Sequence, residues 1–317
     1  MNGPLFTSAR LRAAAPALFL IVLVGLIAAV TPGFASPENL LGLLADTATL
    51  FILAAGLTFV ILIGGIDLSI QTVASLSSVI VALLVPQIGY AAFAVALFAG
   101  LVSGLFSGFV HVKLHVPSFI ATLATSGVVS GVALLVSKAR TITIGEEGRA
   151  TLEWISGSIL GVPNVIPIGL VVLIGSYFLQ NYTRFGRYST AIGAGEPAAW
   201  ASGIRVDRQK IIALVLCSLM GALAGMLLAG RLSSGSPVLG SQLLLPAIAA
   251  VIVGGTAITG GVGGIGRTLI GALIISVVRI GMTFLGVNIF AQQIVFGVVL
   301  IAAVAVTIDR SKIPIVK

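Results

Sequence analysis

The interval YTRFGRYSTAIGAGEPAAWASGIRVDRQK, residues 182–210, is the longest polar stretch in an otherwise almost continuously apolar chain. It carries Arg184, Arg187, Arg205, Arg208 and Lys210 against two acids, Glu196 and Asp207. A segment of this kind lies outside lipid, and its positive bias places it on the cytoplasmic side. Ala198-Ala199-Trp200-Ala201 is a good helix former, and Pro197 suits the first helical position after Glu196. Gly203 supplies a stop that can enter the left-handed conformation. The interval therefore reads as a short cytoplasmic helix, beneath a membrane bundle, against which a partner could push. The competing reading is a solvated connector with a frayed helix.

Working outward, composition sets the class. Of the 317 residues, 58% are hydrophobic and 8% charged, and the mean hydropathy is +1.20. Soluble domains carry roughly 25% charged residues, so the chain is an all-α integral membrane protein. Its net charge of +8 is scattered over short loops instead of gathered on one face, which argues against nucleic acid as a partner. The single cysteine, Cys217, excludes an internal disulfide and any multi-cysteine metal site.

Apolar runs at 13–30, 40–63, 70–85, 90–110, 117–136, 164–181, 211–230, 244–258, 268–285 and 289–308 predict about ten transmembrane helices in one domain, 1–317. The run at 13–30 is too long for a signal-peptide core and has no clear cleavage site, so it reads as a retained first span. With both termini cytoplasmic, the outside receives only Lys138, Arg140, Arg149 and Arg231 of the seventeen basic residues. Arg279 is left within a span, and the remaining twelve fall inside, as the positive-inside rule requires. The 137–163 interval reads as a polar outer loop. Small residues four apart, as in Gly100, Gly104 and Gly108, allow close helix packing in lipid.

Several motifs are rejected. Gly261-Val-Gly263-Gly264-Ile-Gly266 matches G-x-G-x-x-G, but it follows a membrane helix and no ribose-binding acid comes after it. No G-x-x-x-x-G-K-[ST] occurs, so the chain has no nucleotide-binding loop of its own and calls for no cofactor or metal. His111 and His115 read as an interfacial pair. Asp46 and Arg279 are the ionisable residues most clearly inside spans. Counted from the outer ends of their spans, both fall on the order of 10 Å below the surface. That depth permits pairing, and Arg279 could alternatively line a path for an acidic or polyol solute.

Three segments occur together in order: GGIDLS (64–69), AIGAGEPAAWASGI (191–204) and IAAVIVGGTAITGGVGG (248–264). The chain closely resembles, over nearly its full length, the membrane permeases of ribose-type ABC importers, within the broader family that includes branched-chain amino acid permeases. The resemblance implies a type II importer-like bundle in the bacterial inner membrane, surrounded by lipids, that dimerises with a second copy or a paralogue. It implies a cytoplasmic ABC ATPase, as separate subunits or a tandem protein, that binds ATP and Mg, and a periplasmic sugar-binding protein that delivers solute. It places ATPase coupling at Ala191, Gly193, Glu196, Ala198, Ala199, Trp200, Ser202 and Gly203.

The residues themselves add a hinge at Gly64, Gly65, Asp67 and Ser69. Two glycines release the helix there, and Asp67 or Ser69 can cap the next one; substrate contact by Asp67 is the alternative. A glycine turn at Gly254, Gly255, Gly260, Gly261, Gly263 and Gly264 is a second flexible point. The chain departs from the family pattern at Gln71, at Leu244 and Pro246 where acids are usual, and at Arg279 and Ile280. These departures bear on which solute is carried. The expected function is uptake of a monosaccharide or sugar-like solute by alternating access. Branched-chain amino acids or nucleosides are alternatives. An ion-coupled carrier would need carboxylates at span centres, where acids are nearly absent. A membrane enzyme would need a catalytic cluster, and none is present.

Overall fold

The computed structural model describes residues 8–307, so the expected cytoplasmic C-terminal charges at 310, 312 and 317 and the end of the last span lie outside them. Thirteen helices are described. The long ones are α1 (Ser8–Val30), α2 (Pro37–Leu62), α3 (Ile70–Ile88), α4 (Ala91–Lys113), α5 (Ser118–Ser137), α7 (Val165–Tyr182), α10 (Val206–Leu232), α12 (Ile265–Phe284) and α13 (Ile289–Thr307). Seven of these, α2 to α5, α7, α10 and α12, are long and apolar enough to cross a membrane.

α10 is the central post, packed along α2, α3 and α4. The small-residue stripe of α4 makes this possible. Gly100 faces Ala222, Gly104 faces Val215, and Gly108 faces Ile211, so a methyl at any of them would press into α10. With no hydrophobic drive between helices in lipid, this close backbone approach is what gains dispersion contact. α2 is the most enclosed span, with every residue from Thr47 to Leu62 buried. It also packs on α12, where the Thr58 and Thr268 hydroxyls share a 2.7 Å hydrogen bond.

The polar intervals are more ordered than their composition predicts. The 182–210 stretch holds two helices: α8 (Arg184–Ala194), with Gly186, Ser189 and Ile192 inward, and α9 (Glu196–Ala201). The 137–163 loop forms strand β1 (Ile142–Thr143), helix α6 (Glu146–Ser156) and a small hairpin of β2 (Ser158–Ile159) and β3 (Val162–Pro163). β1 pairs with β4 (Ser234–Gly235) beyond the end of α10. α6 buries Leu152 and Ile155, the latter against Gly230 of α10.

Two expected spans differ in kind. The run at 244–258 is helical only as α11 (Leu244–Val253), ten residues. That is about 15 Å, half of a hydrocarbon core of about 30 Å. The GGIDLS segment is not a surface turn, because Asp67 and Ser69 are fully buried. The chain leaves α2 at Leu62, climbs into the bundle without helical bonds, and starts α3 where Ile70 meets Gly221 of α10. Gly240, just ahead of α11, packs on Gln71 and Ser75 at the same level. Both α3 and α11 therefore have an end inside the bundle.

Unwound backbone at membrane depth must find its hydrogen bonds in protein. Ser118 accepts from the Ile66 amide at 3.1 Å and Thr122 from the Leu68 amide at 3.1 Å, while Thr122 also donates to the Ile66 carbonyl. On the other break, Ser75 accepts from the Gly240 amide at 2.9 Å and Ser78 from the Ser236 amide at 3.2 Å. Thr122→Val keeps the shape and removes the hydroxyl, leaving two part-buried backbone groups, the Leu68 amide and the Ile66 carbonyl, without this partner. We expect it to lower stability in detergent by about 1–3 kcal/mol, read as a fall in thermal midpoint. An unchanged midpoint would mean that 63–69 draws its hydrogen bonds elsewhere.

Candidate functional site

Three motifs far apart in sequence converge at one end of the bundle. α8 ends beside the last residue of α2 and the loop between α11 and α12. A Cβ on Gly193 would overlap the Leu62 carbonyl oxygen and the Gly261 amide nitrogen. One on Gly260 would lie 2.7 Å from the Gly64 amide nitrogen and 2.9 Å from Gly193 Cα, and one on Gly261 2.7 Å from the Ala194 amide nitrogen. The Gly261 amide donates to the Leu62 carbonyl at 3.0 Å. Backbone meets backbone here with no side chain between. The rest of the loop is pinned by α7: Gln180 accepts from the Ile265 amide at 2.7 Å and donates to the Gly263 carbonyl at 3.3 Å. Gly264 donates to Thr256 at 3.3 Å, and Gly254 packs on the Arg267 backbone. A Cβ on Gly255 would touch only the Arg267 side chain, at 4.0 Å.

α9 hangs from this junction. Gly195 precedes it, Pro197 sits in its first turn, and Gly203 ends it at φ +80. Ala199 is its one buried residue, and Trp200 projects outward with 74% exposure. Ser202 Oγ folds back to the Ala198 carbonyl, and Ala191 accepts from the Gly195 amide. Glu196 binds Lys210 at 2.7 Å, tying α9 to the start of α10. Glu196 and Lys210 border a cleft of about 310 Å³ whose other walls include Gly64, Gly65 and Ser118. The hinge and coupling motifs thus share one cleft.

The expected helix cap at the hinge is corrected. Ser69 is the residue before α3 but makes no side-chain cap bond. Asp67 Oδ1 instead accepts from the Ser69 amide at 2.7 Å and from Ser69 Oγ at 2.6 Å, which closes a local turn. Its other oxygen has no hydrogen-bond partner among the described residues. The carboxylate is taken up by Ser69 and closes the turn that precedes α3.

At the opposite end, Asp46 and Arg279 meet: Arg279 Nη2 donates to Asp46 Oδ2 at 2.7 Å. Arg231, expected in an outer loop, is the penultimate residue of α10, and its Nη2 lies 2.7 Å from Asp46 Oδ1. One carboxylate therefore bridges two guanidiniums from two helices. They line a cavity of about 370 Å³ with Thr49, Thr283 and Gln292, within the range of small-molecule sites. The three ionised side chains are 25%, 29% and 31% exposed, which lowers the cost of separating them below that of a fully buried pair. Asp46→Asn weakens both arginine contacts, each worth about 1.5–3 kcal/mol. It should therefore lower the detergent melting temperature more than Arg279→Gln or Arg231→Gln does. Arg279→Gln added to Asp46→Asn should then cost little further, a non-additivity that a double-mutant cycle reads directly. Additive losses would contradict the bridge.

His111 Nδ1 lies 2.7 Å from the Val116 carbonyl, and no group of three metal-ligating side chains occurs among the described residues. Broken helices, a cavity holding three charged side chains and an apolar outer surface define a multi-pass membrane permease. The chain belongs to the family of branched-chain amino acid transport system permease components, which matches residues 39–304. Such permease components are parts of transporters and not enzymes, and this one is a multi-pass inner-membrane protein. It is 38% identical over 305 residues to a ribose import permease of Escherichia coli (strain K12), covering 95% of each chain. It is 39% identical over 299 residues to a ribose import permease of Bacillus subtilis (strain 168), covering 94% of this chain and 92% of that one. An L-arabinose ABC transporter permease of Azospirillum brasilense is 33% identical over 289 residues, 90% of this chain and 85% of its own.

Proposed function

We propose that this chain is the membrane subunit of an ATP-driven importer for a monosaccharide or a sugar-like polar solute. The observation that carries the reading is likeness to sugar permeases over almost the whole of both chains. The chain crosses the membrane about ten times, with both ends and α9 cytoplasmic. A separate ABC ATPase, loaded with ATP and Mg, docks on α9, a periplasmic binding protein delivers the solute, and a second permease completes the pore. The cavity at Asp46, Arg231 and Arg279 lies on the solute's route, where Thr49, Thr283 and Gln292 offer hydroxyl and amide partners.

α2 and α12 connect the two sites. Each starts or ends at the glycine junction and carries Asp46 or Arg279 toward its far end, about 20 Å away by helix rise. A push on α9 reaches both helices through Gly193 without passing a compressible side chain. The cavity end of α2 and α12 then opens or closes, which is alternating access.

The test is reconstitution of the chain with its ATPase and binding protein in liposomes and measurement of D-ribose accumulation. Uptake should require ATP and an intact Walker lysine in the ATPase. Accumulation by this chain alone, driven by an ion gradient, would make it a secondary carrier. Preferential uptake of leucine over D-ribose would favour the amino acid reading, which the family's description supports.

A further inference from the structure

We propose that the groove between the α7–α8 corner and the first turns of α10 binds the phosphate headgroup of an anionic phospholipid. The groove encloses about 570 Å³. Arg184, Arg205 and Arg208 border it, no acid lines it, and among the described residues none of the three forms an ion pair. Its deeper wall is apolar, built by Leu179 of α7 and by Ile212 and Leu216 of α10.

The groove sits at the headgroup level. Phe178 and Tyr182, at the end of α7, stack at 5.5 Å and are 59% and 68% exposed. Exposed aromatics at a span end mark the membrane–water interface. Arg184 follows Tyr182 by two residues, and Arg205 and Arg208 flank the start of the neighbouring span. Three cations are therefore held at phosphate height above an apolar slot that continues down two membrane spans.

This combination selects a lipid over a soluble acidic segment. A headgroup phosphate satisfies several guanidiniums at once, and its acyl chains extend along the apolar wall. Leu179, Ile212 and Leu216 of that wall are each only half-buried. Basic pockets between spans are a recognised form of such binding. The site stands on geometry alone and does not depend on what solute the permease carries.

Native mass spectrometry of the purified full chain tests it, with phosphatidylglycerol and phosphatidylcholine of identical acyl chains as probes. The wild type should retain phosphatidylglycerol at least tenfold more strongly. Arg184→Gln/Arg205→Gln/Arg208→Gln should lose that preference, and the single Arg205→Gln should reduce it. Arg149→Gln and Arg187→Gln, basic positions outside the groove, should keep it. All three groove arginines are exposed, so the variants should melt with the wild type. Equal retention of both lipids, an unchanged preference in the triple variant, or equally tight binding of soluble glycerol phosphate would overturn the proposal.

Discussion

Gly193→Ala is expected to abolish ATP-driven uptake and to lower the stability of this end of the bundle. The new Cβ would overlap the Leu62 carbonyl oxygen and the Gly261 amide nitrogen, and neither is the tip of a side chain that can swing aside. Overpacking costs about 1–3 kcal/mol. Wedging apart the Gly261–Leu62 hydrogen bond leaves buried backbone groups unpaired, for about 1–3 kcal/mol more. Gly175→Ala, in the interior of α7, is the control: nothing lies within 4 Å of its Cβ position, so it should transport without loss of stability. Uptake assays and thermal unfolding of both variants decide the matter, and wild-type transport by Gly193→Ala would remove the junction from the force path.

Trp200→Ala should show the reverse pattern, with large loss of transport and none of stability. The ring is 74% exposed at the tip of α9, so truncation should change the chain's own stability by no more than about 0.5 kcal/mol. Exposed aromatics of this kind anchor in partner pockets, where truncation costs about 2–4 kcal/mol of binding. In the assembled importer, that corresponds to at least a tenfold drop in solute-stimulated ATP hydrolysis. Normal stimulation would mean that Trp200 rests at the headgroup level and that α9 is only a connector.

Hydropathy alone located the long spans, because a run that must cross lipid leaves few choices of residue. It could not say where within the bilayer a helix begins. Residues 64–69 read only as a hinge between two spans because the hydroxyls that let their backbone lie in the bundle, Ser118 and Thr122, belong to a distant helix. The run at 244–258 read as a full span for the same reason, since Ser75 and Ser78 of α3 satisfy the unwound backbone ahead of it. α8 and α6 were missed because amphipathic helices carry no long apolar run; Gly186, Ser189 and Ile192 at helical spacing were the available signal.

The candidate site was legible in pieces. Gly64, Gly193 and Gly260 each belonged to a recognisable motif, but nothing local to any of them indicates that they touch. Asp46 and Arg279 were matched by depth alone. Arg231 escaped because a cation at a span end reads equally well as a loop charge.

The central claim is that α9 moves the cavity through the glycine junction. Spin labels at Leu232 and Phe284, exposed at the far ends of α10 and α12, report the width of the cavity mouth by electron–electron double resonance. The buried Cys217 is first replaced by alanine to leave only the introduced thiols. In the complete importer, trapping the ATPase with ATP and vanadate should shift the distance distribution, and Trp200→Ala should abolish the shift while leaving the nucleotide-free distance unchanged. A shift of full size in Trp200→Ala would contradict the account.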